Sequence, residues 1–236
     1  MKKTIAIIQS CYIPWKGYFD IINSVDEFVF YDEVQFTKND WRNRNIVKSA
    51  NGPQWLTIPV LGSMSKPIKD IQVANKHWCG KHWKTLQNLY SKSKYFNEYK
   101  YHFESLYDEC ENVDNLSSIN FKFIEKICNI LKISTKLSYS HEYSNKSLCN
   151  NKTSRLIELC NSTNATTYLS GPLAKNYIEE SSFTDAGIGL EYIEYTGYPV
   201  YKQLYGEFIH NVSIIDLLFN EGPNFNLYMK SFKGAL

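Results

Sequence analysis

The first thirty or so residues constrain the fold most strongly, because strand and helix patterns alternate there. Residues 4–9 form a short, apolar, β-branched run that is typical of a buried strand. Pro14 suits the first turn of a helix, and residues 18–22 supply the apolar face of that helix. Residues 27–32 predict a second strand. A strand, a helix and a strand in so short a length indicate a βαβ unit, whose strands are parallel.

The rest of the chain predicts two departures from this sheet and then a return to it. Residues 45–60 predict a hairpin around Asn51-Gly52, and residues 77–132 predict three helices. Other predicted strands cover 68–73, 135–140, 166–172 and 188–195, and other predicted helices cover 152–163 and 213–223. We therefore predict a single α/β domain over residues 1–236. It would have a mostly parallel Rossmann-like sheet, a β-hairpin excursion and a helical insertion at about 77–132.

Composition limits the partners and the location of the chain. The 236 residues carry a formal net charge of +2 with mixed signs, so general nucleic-acid binding is not expected. No apolar run approaches the roughly 20 residues of a membrane helix, and the run at 5–8 is too short for a signal peptide. We expect no membrane insertion and a cytoplasmic protein, with its oligomeric state left open.

Cysteine spacing argues against two kinds of cross-link. The six cysteines form no Cys-x-x-Cys pair, and no histidine lies at zinc-finger spacing from them. This pattern predicts neither a disulfide framework nor a structural zinc site. We therefore expect reduced thiols and no bound metal.

Aromatic residues are abundant at 15%, and all five tryptophans lie within residues 15–83. Rings with one polar edge suit a pocket for a sugar or a flat base. The alternative is that tyrosine simply replaces phenylalanine and leucine in the core.

Residues after the first strand are the first candidates for a site, because ligands of open parallel sheets bind beyond the carboxyl ends of strands. Gln9 offers a donor and an acceptor together, and Tyr12, Trp15 and Tyr18 offer rings. The helix start that follows favours phosphate. Alternatively, Gln9 only satisfies nearby backbone and Trp15 fills the core. Ser170 ends a later predicted strand and is a further candidate.

The segment at residues 31–47 is unusually polar for a connection between two strands. Arg44, flanked by Asn43 and Asn45, could fork onto a phosphate or a carboxylate, and Gln35 lies on the same segment. Asp32, at a strand end, could orient a hydroxyl or an amine. The alternative is a solvated turn. We favour a ligand-binding loop.

Three further side chains could carry chemistry. His82 is a candidate general base, because imidazole titrates near neutral pH, although a lone histidine on a surface helix is more often only solvated. Cys11 lies near a helix start that would lower the pKa of its thiol, so it could be a nucleophile. Asp216 is a lone acid in an apolar helix and is interpreted as structural. The chain has neither a GxGxxG nor a GxxxxGK[ST] fingerprint, which excludes an ordinary dinucleotide dehydrogenase and a P-loop ATPase.

Several short stretches together resemble the WbqC-like family. They are QSCYIPWKGYFD, DEVQF with WRNRN, WLTIPV, KHW with LY, YLSG and SIIDLLFNEGP. They run from Gln9 to Pro223 in the family's order and so cover nearly the whole chain. The sequence departs from the pattern at Ser10, where the family usually has proline after the glutamine.

The resemblance implies a role in the synthesis of O-antigen and other surface polysaccharides. It implies an N-acyl or aminoacyl (for example glycyl) transferase acting on the amino group of a nucleotide-linked dideoxy amino sugar. Arg44 and Lys48 would then meet the pyrophosphate. His82 or Asp32 would be the base, and Gln9, Asn43 or backbone amides would hold the developing oxyanion.

Such a reaction needs an activated donor, and no nucleotide-hydrolysis motif is present. We therefore expect no certain cofactor and a preactivated acyl donor on a carrier, either an aminoacyl-tRNA or a thioester. Two alternatives stay open. One is an ATP-dependent nucleotidyl-transfer or ligase-type enzyme, and the other is a non-catalytic nucleotide-sugar-binding protein.

Overall fold

The structure is a computed structural model that describes residues 2–61, 65–143 and 151–232. Its strands are β1 Thr4–Ile8, β2 Glu27–Phe30, β3 Arg44–Ser49, β4 Gly52–Thr57, β5 Val60–Leu61, β6 Gln72–Val73, β7 Lys136–Tyr139, β8 Thr167–Ser170 and β9 Gly189–Tyr192. Its α-helices are α1 Lys16–Asn23, α2 His77–Tyr90, α3 Phe96–Cys110, α4 Leu116–Leu131, α5 Lys152–Ser162, α6 Glu180–Asp185 and α7 Ile214–Glu221. Short 3-10 helices cover Ile68–Asp70, Ser140–Glu142, Pro172–Asn176 and Gly222–Tyr228. Cys149 lies outside the described residues.

The central sheet has five strands in the order β7-β2-β1-β8-β9, and every neighbouring pair is parallel. Strands β2 and β7 lie in turn on one side of β1, and strands β8 and β9 lie in turn on its other side. The prediction of a Rossmann-like α/β fold is confirmed. The strand order reverses between β1 and β8, and this is where such sheets leave a crevice.

Both faces of the sheet are covered, which explains why β1 and β2 are almost continuously apolar. On β1, Ile5 and Ile7 face a cluster that contains Leu156 and Leu159 of α5, whereas Ala6 faces the larger core. That larger core includes α1, the helical insertion and α7. Burial on alternate faces fixes the register of each strand, since a slip of one residue would exchange the two faces.

The hairpin β3–β4 leaves the sheet as predicted, and its two strands pair from Arg44↔Thr57 to Ser49↔Gly52. Within residues 44–57 only Gly52 takes a positive φ (98°), so glycine supplies the backbone conformation that the tight connection needs. The predicted strand at residues 68–73 is mostly wrong. Its first part is the 3-10 helix Ile68–Asp70, which follows Pro67, and only β6 remains to pair with β5.

The helical insertion consists of α2, α3 and α4, as predicted. Asn115 caps α4 by accepting a hydrogen bond from the Ser118 amide at 2.9 Å, and Lys132 ends the helix in the left-handed region (φ 58°). Phe121 of α4 contacts Phe30 of β2 edge-to-face, with ring centroids 5.3 Å apart. The insertion therefore packs directly against the sheet that carries the crevice.

Candidate functional site

A cavity of about 480 Å³ lies at the carboxyl ends of β1 and β8, at the point where the strand order reverses. Its volume falls within the range of small-molecule sites, which is about 300–1,000 Å³. Ile7, Ile8 and Gln9 line it from the end of β1, and Tyr168 and Ser170 line it from β8. The topology thus brings together two strand ends that are far apart in the sequence.

The cavity walls are largely aromatic. Trp15 and Tyr18 contribute from the start of α1, and Trp41 and Tyr195 contribute from the loops around it. Trp15 packs edge-to-face on Tyr195, with ring centroids 5.1 Å apart. Such faces suit the apolar surface of a sugar ring or a planar base.

Gly17 allows the Trp15 ring to lie where it does. A Cβ atom added to Gly17 would come within 2.3 Å of the Trp15 ring, which is far inside van der Waals contact. We expect Gly17→Ala to displace the indole from the cavity wall and weaken ligand binding at least tenfold. Gly17 lies in the first turn of α1, and alanine has a higher helix propensity than glycine, so the variant should stay folded.

Isothermal titration of Gly17→Ala with a nucleotide sugar checks this prediction, and its melting temperature checks the fold. Gly80→Ala is the matched control, because that helical glycine has open space around its added Cβ atom. Equal affinities in Gly17→Ala and the unaltered protein would contradict the prediction.

Arg42 is the cation that lines the cavity. Its Nη1 donates to the Cys11 sulfur at 3.0 Å, and its Nη2 donates to Gln9 Oε1 at 3.3 Å. Asp40 lies 3.7 Å from the same Nη2. The arginine backbone is also fixed, because Asn120 Nδ2 donates to the Arg42 carbonyl at 2.9 Å. A guanidinium held in this way can present its planar fork to a phosphate or a carboxylate.

Cys11 also lines the cavity, and the structure does not give it a low pKa. Burial raises the pKa of the Cys11 thiol, and the nearby Arg42 guanidinium only partly offsets this. The expected lowering of this pKa by the following helix is therefore wrong. The thiol is protonated at neutral pH in this environment, so Cys11 is not poised as a nucleophile.

The loop between β1 and α1 has an unusual backbone. Ile13 is β-branched and yet has φ 37°, a region that such residues rarely occupy. Asn45 stabilises this loop, because its Nδ2 donates to the Tyr12 and Ile13 carbonyls at 3.0 Å each. Asn45 lines the cavity as well, so one side chain both shapes the loop and faces the ligand space.

Hydroxyl groups lie on the β8 side of the cavity. Ser170 Oγ donates to the Tyr168 hydroxyl at 3.1 Å. On the β1 side, the Tyr18 hydroxyl donates to the Gln9 carbonyl at 2.9 Å. Each of these hydroxyl oxygens can still accept a hydrogen bond from a sugar hydroxyl.

The structure divides the predicted site residues into two sets. Those that line the cavity are Gln9, Trp15, Tyr18, Asn45 and Ser170. Those that do not line it are Tyr12, Asp32, Gln35, Asn43, Arg44, Lys48 and His82. The roles assigned to the first set remain predictions.

Asp32 lies under the first loop and outside the cavity lining. Its Oδ1 accepts from the Ser10 amide at 2.8 Å, and its other oxygen accepts from the Ser117 hydroxyl. Asn120 Nδ2 donates to Ser10 Oγ at 3.0 Å. These bonds show how the loop is held in a chain that has serine where the family pattern has proline. Asp32 is thus placed to position the loop.

His82 is buried in α2 rather than solvated. Its Nδ1 lies 2.9 Å from the Tyr12 hydroxyl, which also pairs with the Tyr107 hydroxyl at 2.6 Å. Burial lowers the pKa of His82 to about 4, and a hydrogen bond with the Thr57 backbone offsets this only in part. The imidazole is neutral at pH 7, and it is a weak base outside the cavity.

This lowered pKa predicts a pH dependence of stability. The unfolded histidine titrates near pH 6.5 and the folded one near 4, so the unfolded state binds more protons between these values. The contribution of neutral His82 to the free energy of unfolding is complete above pH 6.5, and it is lost as the pH falls towards 4. We expect about 2 kcal/mol of unfolding free energy to be lost through His82 between pH 8 and pH 5.

Urea denaturation of the protein and of His82→Gln at both pH values measures this loss, which the variant should lack. His102→Gln is the control, because His102 is exposed on α3. The same pH slope in His82→Gln and in the unaltered protein would refute the assignment.

The remaining predicted residues support neighbouring structure. Asn43 Nδ2 donates to the Ile58 carbonyl at 2.9 Å, and the Arg44 guanidinium lies 4.0 Å from the centre of the Trp55 ring. Lys48 Nζ donates to Gln203 Oε1 at 2.8 Å within a buried polar network. Gln35 lies on an exposed loop that bridges to Pro67.

Sequence reasoning missed several lining residues. They are Trp41, Arg42, Tyr168, Leu173, Tyr177, Tyr195 and Asn211. The sequence marks the polar segment that contains Arg42, but it singles out Arg44, which does not line the cavity. Tyr168 had a local signal, since it lies two residues before Ser170 at the end of the same predicted strand.

The model of the WbqC-like protein family matches residues 9–226. This chain belongs to the WbqC-like protein family. The match begins at Gln9, the first polar residue of the cavity, and extends past α7. The resemblance read from the short motifs is thereby confirmed.

One relative is 43% identical over 230 residues, which cover 97% of this chain and 98% of the relative. It is the uncharacterized protein Rv1507c of Mycobacterium tuberculosis (strain ATCC 25618 / H37Rv). No solved structure gives a significant match to this WbqC-like chain.

Within residues 2–61, 65–143 and 151–232, every helix is too short or too polar to cross a bilayer. The same residues contain no group of three or more His, Cys, Asp or Glu side chains placed to hold a metal ion.

Proposed function

We propose that this protein is an N-acyl or aminoacyl transferase, and that its acceptor is the amino group of a nucleotide-linked dideoxy amino sugar. The pathway would be the assembly of O-antigen or another surface polysaccharide. One observation supports this proposal most. Gln9, Arg42 and Ser170 converge from three distant parts of the sequence on one aromatic cavity at the reversal of the sheet.

Recognition of the acceptor would use the two kinds of lining group. Aromatic faces such as Trp15 and Tyr195 pack on the apolar side of the deoxygenated sugar, where hydroxyls are absent. The Ser170 hydroxyl and the Gln9 amide exchange hydrogen bonds with the polar groups that remain. Arg42 meets the diphosphate, because its guanidinium can form paired, charge-assisted hydrogen bonds with phosphate oxygens.

The chemical step would be attack of the sugar amine on the carbonyl carbon of the donor. A carbon–nitrogen bond forms, and the bond from that carbon to the oxygen or sulfur of the carrier breaks. The Gln9 amide N–H groups are available for the developing oxyanion, since its Oε1 already accepts from Arg42. The proton lost by the amine ends on the departing carrier oxygen or sulfur.

A preactivated donor fits the residues around the cavity. The described residues that line it include no aspartate, glutamate or histidine. An ester or thioester carries its own leaving group, so the reaction makes small demands on a side-chain base. Aminoacyl-tRNA and acyl thioesters are both donors of this kind. In this proposal Asp32 and His82 support the loop and do not take the proton.

Two other functions each have one supporting observation. The strand order with a cavity at its reversal is shared with nucleotide-binding folds, which favours an ATP-dependent nucleotidyl transferase or ligase. The lack of an acid or imidazole among the described lining residues favours a non-catalytic nucleotide-sugar-binding protein. Pyrophosphate release from ATP with an acid substrate would identify the former.

The deciding experiment incubates the purified protein with a nucleotide-linked amino sugar and either glycyl-tRNA or a panel of acyl thioesters. Mass spectrometry should detect one added acyl group on the sugar. A nucleotide sugar with a hydroxyl in place of the amine is the control and should stay unmodified. Tight binding of the sugar with no amide from any donor would leave the binding protein as the correct description.

A further inference from the structure

Two exposed tryptophans lie side by side at the mouth of the cavity. Trp41 is 39% exposed and Trp55 is 42% exposed, and their ring centroids are 5.4 Å apart. Trp41 also lines the cavity. Two large rings left this accessible next to a cavity are an exposed apolar patch that folding alone does not explain.

A guanidinium completes this surface. The Arg44 guanidinium carbon lies 4.0 Å from the centre of the Trp55 ring, which is close stacking. Arg44 Nε is buried and has no hydrogen-bond partner among the described residues. We call Trp41, Trp55 and Arg44 the tryptophan platform.

The platform is held at a fixed place relative to the cavity. The Tyr12 amide donates to the Trp41 carbonyl at 2.9 Å, so the loop after β1 fixes the backbone at Trp41. Arg42, the cation of the cavity, is the next residue in the chain. Both Trp41 and Arg42 line the cavity, so one ligand in it can contact the guanidinium and the Trp41 ring together.

We propose that the tryptophan platform binds the nucleobase of a nucleoside diphosphate whose diphosphate lies at Arg42 and whose sugar lies inside the cavity. This inference rests on the proposed function and assigns a place to one part of its substrate. A planar base can stack on an indole whatever its hydrogen-bonding pattern. A sugar phosphate has no planar base to place on the tryptophan platform. The order of groups from the mouth inward is therefore base, diphosphate and sugar.

Isothermal titration with matched ligands tests the assignment. The ligands are dTDP, UDP and an amino sugar 1-phosphate, which has a phosphate and a sugar but no base. We expect Trp41→Leu to weaken the binding of dTDP and UDP roughly ten- to a hundredfold and to change the binding of the sugar phosphate by less than about twofold. Trp55→Leu should act in the same direction, and Trp41→Phe should retain most of the affinity because it keeps a ring.

Tyr101→Leu is the control, because Tyr101 is 64% exposed on α3. It should bind all three ligands like the unaltered protein. Melting temperatures of all variants identify any that fail to fold. If Trp41→Leu does so, Trp55→Leu carries the test, with the same loss expected for dTDP and UDP and not for the sugar phosphate.

The outcomes separate this inference from the proposed function. If the unaltered protein binds dTDP or UDP and both leucine variants bind it equally well, the platform assignment is wrong and the proposed function stands. Equal weakening of the binding of all three ligands also overturns the platform assignment, since the platform would then not select the base.

If the unaltered protein binds none of the three ligands, the proposed function fails and the inference fails with it. Binding of a short single-stranded RNA but of no nucleoside diphosphate would give the platform another occupant and overturn the inference.

Discussion

Arg42→Gln is expected to lower the rate of amide formation on a nucleotide-linked amino sugar by roughly 100- to 1,000-fold. The guanidinium is the cation of the cavity and contacts both Gln9 and Cys11. Hydrogen bonds to charged groups contribute about 1.5–3 kcal/mol each, and a diphosphate would accept two of them. Glutamine removes both the positive charge and the paired N–H donors of the guanidinium. Steady-state kinetics with mass-spectrometric detection of the amide measure the effect.

The variant Arg42→Lys keeps the positive charge but removes the planar guanidinium, so it tests the two contributions separately. We expect Arg42→Lys to recover only a small part of the rate, because an ammonium cannot form the paired contacts of a planar guanidinium. Arg155→Gln is the control, since that arginine lies 3.5 Å from Glu33 in a partly exposed ion pair away from the cavity lining. Full activity in Arg42→Gln would remove Arg42 from the site.

Asp216→Ala is expected to lower the free energy of unfolding by about 3–5 kcal/mol. Asp216 is fully buried in α7 and accepts from the Tyr90 and Tyr201 hydroxyls at 2.8 Å each. Gln203 Nε2 donates to it at 3.0 Å, and Gln203 in turn accepts from Lys48. Alanine would take this acceptor from both tyrosine hydroxyls and from one N–H of Gln203, and it would also leave a small cavity.

Urea denaturation at neutral pH measures this loss. Asp108→Ala is the matched control, since Asp108 is exposed on α3, and surface changes of this kind stay within about 0.5 kcal/mol. If Asp216→Ala matched this control, the network would not stabilise the protein as its geometry implies.

The sheet and the helices were predictable because their sequence patterns are local. The helical insertion follows from 3.6-residue periodicity, and the βαβ start follows from the length of its segments. The failure at residues 68–73 also has a local cause. Ile68 and Ile71, both buried, are three residues apart, which places them on one side of the 3-10 turn that begins at Ile68 but on opposite faces of a strand.

The cavity was predictable only in part, because the lining residues opposite β1 belong to β8, which is far from β1 in the sequence. Strand order decides that Ser170 meets Gln9, and no local pattern encodes it. The choice between Arg42 and Arg44 depends on the turn before β3, in which the Asn43 amide donates to the Asp40 carbonyl at 3.2 Å. That turn directs Arg42 to the cavity, whereas Arg44 is already in the strand.

The burial of His82 had a signal in the sequence. Trp78, His82 and Leu86 follow one another at four-residue spacing, so they share a helical face. All three are buried in the structure. A histidine in register with such residues belongs to the packed side of its helix, and this outweighs the general tendency of lone histidines to be solvated.

The pairing of β1 with β8 has a consequence for the whole molecule. The two strands meet although their paired residues, Thr4 and Thr167, lie 163 positions apart. A nascent chain therefore cannot complete the ligand site until about nine tenths of its 236 residues, up to the lining residue Asn211, have been synthesised. A molecule bound between the two strand ends links distant segments of the polypeptide, so its binding should slow amide hydrogen exchange in both strands and protect the chain from proteases.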